Sequence, residues 1–187
     1  MNTTKDSIQG SQTTEGKGRL QDLEKTIAEH PFLKGLSPHQ CRILKDCAMF
    51  AKFESGELIF CEGDPANRFY LILRGKVSLE SYGREGGVTP VQTVETGDVL
   101  GWSWLFPPYY WHFTARAAEA TEAVFFYGTP LRDECEADHD LGYELVKRMA
   151  EVMMRRLHAT RRQLLNWRPN QDREKHESGR ISSGRDF

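Results

Sequence analysis

No stretch of this sequence approaches the roughly 18 consecutive apolar residues that a membrane-crossing helix requires. The N-terminus, MNTTKDSIQGSQTTEGKG, also lacks the apolar centre of a secretion signal. No membrane association is therefore expected, and the expected location is cytoplasmic. Surplus charge is missing too. The 25 Lys and Arg stand against 27 Asp and Glu, a net charge of -2, so nothing draws the whole chain onto nucleic acid or an anionic membrane.

Cysteines are few and scattered: Cys41, Cys47, Cys61 and Cys135 form no C-x-x-C pair and have no matching His spacing. That pattern excludes a zinc site and a disulfide framework, and leaves the four as small buried hydrophobes. No metal is expected. Also absent are G-x-S-x-G, H-E-x-x-H and a P-loop. The acids Glu57, Glu62 and Asp64 fall at turns, where carboxylates cap backbone amides. No paired acid and base can be read, so an enzyme is not expected.

What the chain does hold is a concentration of aromatic surface. GWSWLFPPYYWHF, Gly101 to Phe113, carries three of the four Trp residues. Pro107 and Pro108 break it and it is far too short to span a membrane, so it is either core or a site.

With 187 residues there is room for one domain with one substantial core. Residues 1–18 are polar and are expected to form a disordered arm, as is the tail 168–187. Leu20, Leu23 and Ile27 recur at helical spacing up to Glu29, and Pro31 ends the pattern. A second short helix is expected from Pro38, with Ser37 as its N-cap and Cys41, Leu44 and Ala48 along one side. From Ala51 to Tyr127 the period changes to short apolar runs separated by Gly, Asp, Asn and Pro at intervals of about 8 to 12 residues, the spacing of a small all-β barrel or sandwich. A brief helix is expected over Arg132 to Ala137 and a long one from about Asp140 to Trp167. Along the latter, Leu141, Leu145, Met149, Val152, Met153, Leu157, Leu164 and Trp167 share a broad face. One small sheet cannot cover so long a face, and a second copy of the helix is the simplest cover.

Within the β region, Phe53 to Leu79 reads FESGELIFCEGDPANRFYLILRGKVSL. Gly56, Gly63 and Gly75 sit where strands must turn, and Phe69, Tyr70, Ile72 and Val77 are expected to point into a common interior. This string resembles the cyclic-nucleotide-binding domain, found in the catabolite activator (Crp/Fnr) family, in regulatory subunits of cyclic-nucleotide-dependent kinases and in gated channels. The resemblance rests on HPFLKGLS (His30 to Ser37), GELIFCEGD (Gly56 to Asp64), FYLILRGKV (Phe69 to Val77), GDVLG (Gly97 to Gly101) and RRLHAT (Arg155 to Thr160).

It implies a mainly β fold with flanking α: an eight-stranded β-roll of jelly-roll type with N-terminal helices over 19–139, followed by a long C-terminal dimerisation helix over 140–167. In the family, a short cassette opens with Gly-Glu, whose carboxylate meets the ribose, and closes with Arg and a small residue that neutralise the cyclic phosphate. A buried anion needs such a cation and convergent amides. GWSWLFPPYYWHF occupies that cassette. Gly101 keeps the turn, Trp102 stands at the acidic position, and the Arg and small residue fall on or near Trp111 and His112. Losing both charged partners costs about 3 to 8 kcal/mol, roughly two to six decades in affinity.

Cyclic AMP or cyclic GMP is therefore expected to bind weakly if at all, through amides near Gly101 to Ser103, His112 and Arg116, the last sharing a strand face with His112 and Thr114. The candidate pocket is Gly101, Trp102, Ser103, Trp111, His112 and Phe113, with Thr160 aligned to a helix threonine that touches the purine in the activator proteins. Two alternatives stand beside this: the aromatics fill the pocket and leave a protein-interaction scaffold, or the pocket is open and takes another flat apolar ligand, with haem on His112 the least favoured form. The roughly 20 residues beyond Trp167 are too few for the DNA-binding domain of the activators, so direct DNA binding is not expected. The expected protein is a standalone regulatory module, a homodimer through its C-terminal helix, acting on a partner protein whose identity the sequence does not reveal.

Overall fold

The structure, a computed structural model, describes residues 22–82 and 87–166; the expected arm and tail lie outside the described residues, as do Leu20 and Trp167. Helix α1 is described over 22–29 and buries Leu23 and Ile27. Helix α2 (Pro38–Asp46) begins as expected at Ser37. The Gln40 amide donates to Ser37 Oγ at 3.2 Å and the Ser37 amide to Gln40 Oε1 at 3.0 Å, a reciprocal cap that occupies two otherwise unpaired donors. Ala48 does not extend this helix. It opens the first strand.

Eight strands follow among the described residues: β1 (Ala48–Phe53), β2 (Leu58–Phe60), β3 (Arg68–Arg74), β4 (Lys76–Tyr82), β5 (Val88–Glu95), β6 (Val99–Leu100), β7 (Thr114–Ala117) and β8 (Thr121–Tyr127). They form two four-stranded antiparallel sheets, ordered β1-β8-β3-β6 and β2-β7-β4-β5. This is the β-roll that the sequence implied. Its interior holds Tyr70, Ile72, Val77, Leu79, Val94, Leu100, Ala115, Ala123 and Phe125. Gly75 alone joins β3 to β4 at φ 101°, and a Cβ there would stand 2.6 Å from the Ala120 carbonyl oxygen. Only glycine fits so tight a left-handed turn.

One expected inward residue faces the other way. Phe69 packs outside the roll, its ring 5.5 Å from Phe32, 5.9 Å from Trp104 and 5.8 Å from Phe126. Strand β3 is buried on both faces over 69–72, so it reads as a continuous apolar run and period-2 alternation cannot be seen in it. Helix α3 (Gly128–Ala137) starts four residues before the expected Arg132. Pro130 lies in its first turn, where the missing N–H would have had no helical partner. Cys41 and Cys47 are buried as expected, whereas Cys61 and Cys135 are half-buried.

Helix α4 runs over His139–Asn166, and the chain divides within it into two units, Met1–Leu145 and Val146–Phe187. In the first unit Leu141 and Leu145 are buried. In the second, Val146, Met154, Leu157, Leu164 and Leu165 are exposed. No described helix is long and apolar enough to cross a membrane.

His30 closes α1 from inside the fold. It is buried, and its Nδ1 accepts from the Phe32 amide at 3.3 Å. Burial lowers its pKa below the usual 6.5, against the opposing influence of the Ile72 backbone and the Asp98 charge. The unfolded chain then binds the proton more readily, so this contribution to stability is complete above 6.5 and is lost as pH falls through the lower folded value. Urea midpoints measured from about pH 7.5 to about pH 5.5 are expected to fall, and to fall less in His30→Gln.

Candidate ligand site in the roll

The cassette segment leaves β6 at Gly101, whose φ of 87° turns the chain into a short 3-10 turn over Trp102–Leu105. The return loop, 106–113, is laced to the loop ahead of β3. The Gly63 amide donates to the Trp111 carbonyl at 2.9 Å, the Trp111 amide to the Asp64 carbonyl at 2.9 Å, and the Ala66 amide to the Tyr109 carbonyl at 2.6 Å. Tyr109 sits at φ 61°, a left-handed conformation uncommon for a side-chain-bearing residue. Its ring is covered by the Arg132 guanidinium at 4.3 Å, which also donates to the Trp104 carbonyl at 2.6 Å and to Thr129 Oγ1 at 3.0 Å. These contacts fix the loop.

The decisive side chain is Trp111. Only 5% exposed, it stacks on Phe60 with ring centroids 3.9 Å apart and planes 11° from parallel. A Cβ added at Gly101 would stand 2.8 Å from two of its ring carbons. The indole therefore lies directly over the turn that opens the cassette. Phe60 itself packs against the interior cluster, as does the half-buried Phe113. Trp104, which the sequence reading left out of the pocket, is fully buried on the outer side against Phe69, and its Nε1 has no hydrogen-bond partner among the described residues.

Trp102 is half-buried at the rim, tilted against His112 at 5.2 Å and edge-on to Phe106 at 6.4 Å. The exposed His112 directs Nδ1 at the Tyr110 carbonyl at 2.9 Å, with buried Ser103 Oγ at 3.3 Å. A carbonyl can only accept, so Nδ1 carries the proton. Gly101, Trp102, Ser103, Trp111, His112 and Phe113 thus come together around one turn. Thr160 is an exposed residue of the second unit. Arg116 lies with Thr114 on the outer face of its sheet, donating to the Gly56 carbonyl at 2.9 Å and standing 3.6 Å from Glu80. It is spent there.

A cation that sequence reasoning missed does face inward. Arg68 precedes Tyr70 and Ile72 by two and four residues on β3, and so shares their inner face. Its guanidinium carbon lies 4.6 Å from the centre of the Phe125 ring. Burial pushes the Tyr70 phenol up, partly offset by a hydrogen bond and the charge from Arg68. The i, i+2, i+4 spacing was the available signal; at the start of a strand it read as a polar flank. Among the described residues no group of three His, Cys, Asp or Glu could hold a metal.

Two antiparallel sheets rolled around one interior, with a glycine-led cassette between β6 and β7, define the class. Residues 50–138 match the family described as the cyclic nucleotide-binding domain. Over those residues the chain is similar to that domain, and it resembles the sensory domain of Crp-like regulators. It is 25% identical over 142 residues, 76% of its length and 62% of the relative's, to the CRP-like cAMP-activated global transcriptional regulator of Mycobacterium tuberculosis. It is also 36% identical over 83 residues to the cAMP-dependent protein kinase regulatory subunit of Emericella nidulans, covering 44% of this chain but 19% of that one. Among solved structures, a protein from Geobacter metallireducens described as cyclic nucleotide-binding aligns with TM-score 0.66 and 27% identity over 72% of this chain and 98% of its own. The chain thus spans about a fifth of the kinase regulatory subunits it matches and under two thirds of the transcriptional regulator.

Trp111→Ala is expected to cost about 3 to 5 kcal/mol in urea unfolding, the range for deleting a buried aromatic. Trp102→Ala, at the rim, is expected to cost less than half as much.

Proposed function

We propose that this chain is a regulatory module in which the ligand cassette of the family is closed by its own aromatic side chains, and that it acts on a partner protein. The observation that carries this is the Trp111 indole, stacked on Phe60 and set against Gly101. The surface over Gly101 where a cyclic phosphate would seek amides is occupied by apolar ring. The guanidinium of the family is absent from His112 and Trp111, and Arg116 is turned outward to Glu80. An anion there would lose its water and gain no counter-charge.

The similar proteins are, by name, a kinase regulatory subunit and a transcriptional regulator, and this chain takes the regulatory class from them. It is read as a non-enzymatic, cytoplasmic protein with no direct DNA contact. Residues 19–139 serve as the roll with its helices and 140–167 as a dimerisation helix. Within the second unit, Val146, Ala150, Met153, Leu157, Thr160 and Leu164 recur at alternating spacings of four and three, the stripe of a helix that packs on a second helix. Leu157 and Leu164 are 66% and 69% exposed. A second copy covers them in this reading. Leu145 and Val152 are buried already within one chain, so charge placed there would disturb folding rather than report association.

Calorimetric titration with cyclic AMP and cyclic GMP is expected to give no saturable heat. Binding in the micromolar range overturns the closed cassette. The Trp102→Glu/Trp111→Arg variant, which removes the indole and restores both charges, is expected to gain measurable affinity for cyclic AMP. For the dimer, sedimentation of Leu157→Glu/Leu164→Glu is expected to show half the mass of the parent, and an unchanged mass sinks the helix interface.

A further inference from the structure

We infer that the open end of the roll, beside the closed cassette, binds a flat aromatic carboxylate through Arg68. This rests on the closed-cassette reading, in which the inward-facing cation is Arg68 and not a cassette residue.

Three observations on the first sheet converge. Arg68 is half-buried and faces inward, yet among the described residues no carboxylate lies within ion-pair distance of it; its partners are the Phe125 ring and the Tyr70 hydroxyl. A charge partly withdrawn from water against aromatic surface is compensated weakly by a ring and well by an opposite charge.

The second observation is apolar surface beside it. Met49 pairs with Phe125 across β1 and β8, Phe125 with Tyr70 across β8 and β3, and Tyr127 with Arg68. These side chains therefore share the inward face of the sheet. Met49 is nevertheless 50% exposed and Tyr127 41% exposed. They touch each other, Tyr127 Oη lying 3.5 Å from Met49 Sδ, and the Tyr127 ring meets Phe125 edge-on at 5.2 Å. Met49 and Tyr127 thus leave apolar surface of the inward face open to solvent beside Arg68.

The third is donor count. One planar guanidinium and one phenol hydroxyl match the two oxygens of a carboxylate, which a guanidinium takes in a fork. A doubly charged phosphate would need a second cation, and none of the side chains named around Arg68 supplies one. Methionine and aromatic rings then offer a soft, flat-walled bed for an aromatic body.

The test uses 2-naphthoate as the probe and 2-naphthol as its neutral counterpart, titrated calorimetrically into the full chain. Naphthoate is expected to bind, and to bind about 10- to 100-fold more weakly to Arg68→Gln, the fold-change for losing a charged hydrogen-bond partner. Naphthol binding is expected to be unaffected by that variant, and Arg116→Gln to bind naphthoate like the parent. Arg68→Lys, which keeps the charge but loses the fork, is expected to fall between. Urea midpoints of each variant check that the fold is retained. Absence of naphthoate binding, equal binding by Arg68→Gln, or equal loss in Arg116→Gln overturns the assignment. Micromolar cyclic AMP binding in the same titrations would instead overturn the closed cassette, and naphthoate dependence on Arg68 would still decide the present site.

Discussion

The stack of Trp111 on Phe60 sets the character of this roll. A single indole, held flat at 3.9 Å against the phenyl ring of Phe60 on β2, couples the return loop of the cassette to the interior and lies over Gly101. Apolar stacking of this kind needs no partner from solvent and no ligand, so the cassette is ordered by the chain itself. The backbone follows: with the ring anchored, the Trp111 amide and carbonyl pair with Asp64 and Gly63.

The same segment ties the interior of the roll to its outer layer. Trp104, two residues beyond Trp102, turns outward to Phe69, and its carbonyl receives the Arg132 guanidinium from α3. Gly128, at the head of α3, comes so close that an added Cβ would stand 3.3 Å from Trp104 Cβ. A change in the position of the cassette would therefore press on α3 through packed side chains and one short hydrogen bond.

The fold was legible because turn chemistry and period are local. Ser37 ahead of Pro38 marked a helix start, Gly56, Gly63 and Gly75 marked turns, and the short apolar runs between them marked strands. The misses have equally plain causes. Phe69 lies in a strand buried on both faces, where alternation disappears. Gly128 to Pro130 begin α3 although Gly and Pro usually punctuate helices, because the first turn tolerates both. Ala48 continued the helical spacing of α2 by chance, and the pairing of β1 with β8 claimed it.

For the site, the sequence by itself determined what was missing: GWSWLFPPYYWHF holds no carboxylate and no guanidinium, whatever its conformation. It also put Arg116 on the strand face of Thr114, since alternation along a strand is a property of the backbone; it did not determine that this face is the outer one. Only the tertiary structure decided that Trp111 turns inward onto Phe60 while Trp102 stays at the rim, and that Arg68 is the cation left facing the interior. Those outcomes depend on which residues, roughly 50 to 60 positions apart in the chain, are brought together by sheet pairing. Stacking, burial and uncompensated charge exist only between such neighbours, and a linear pattern does not contain them.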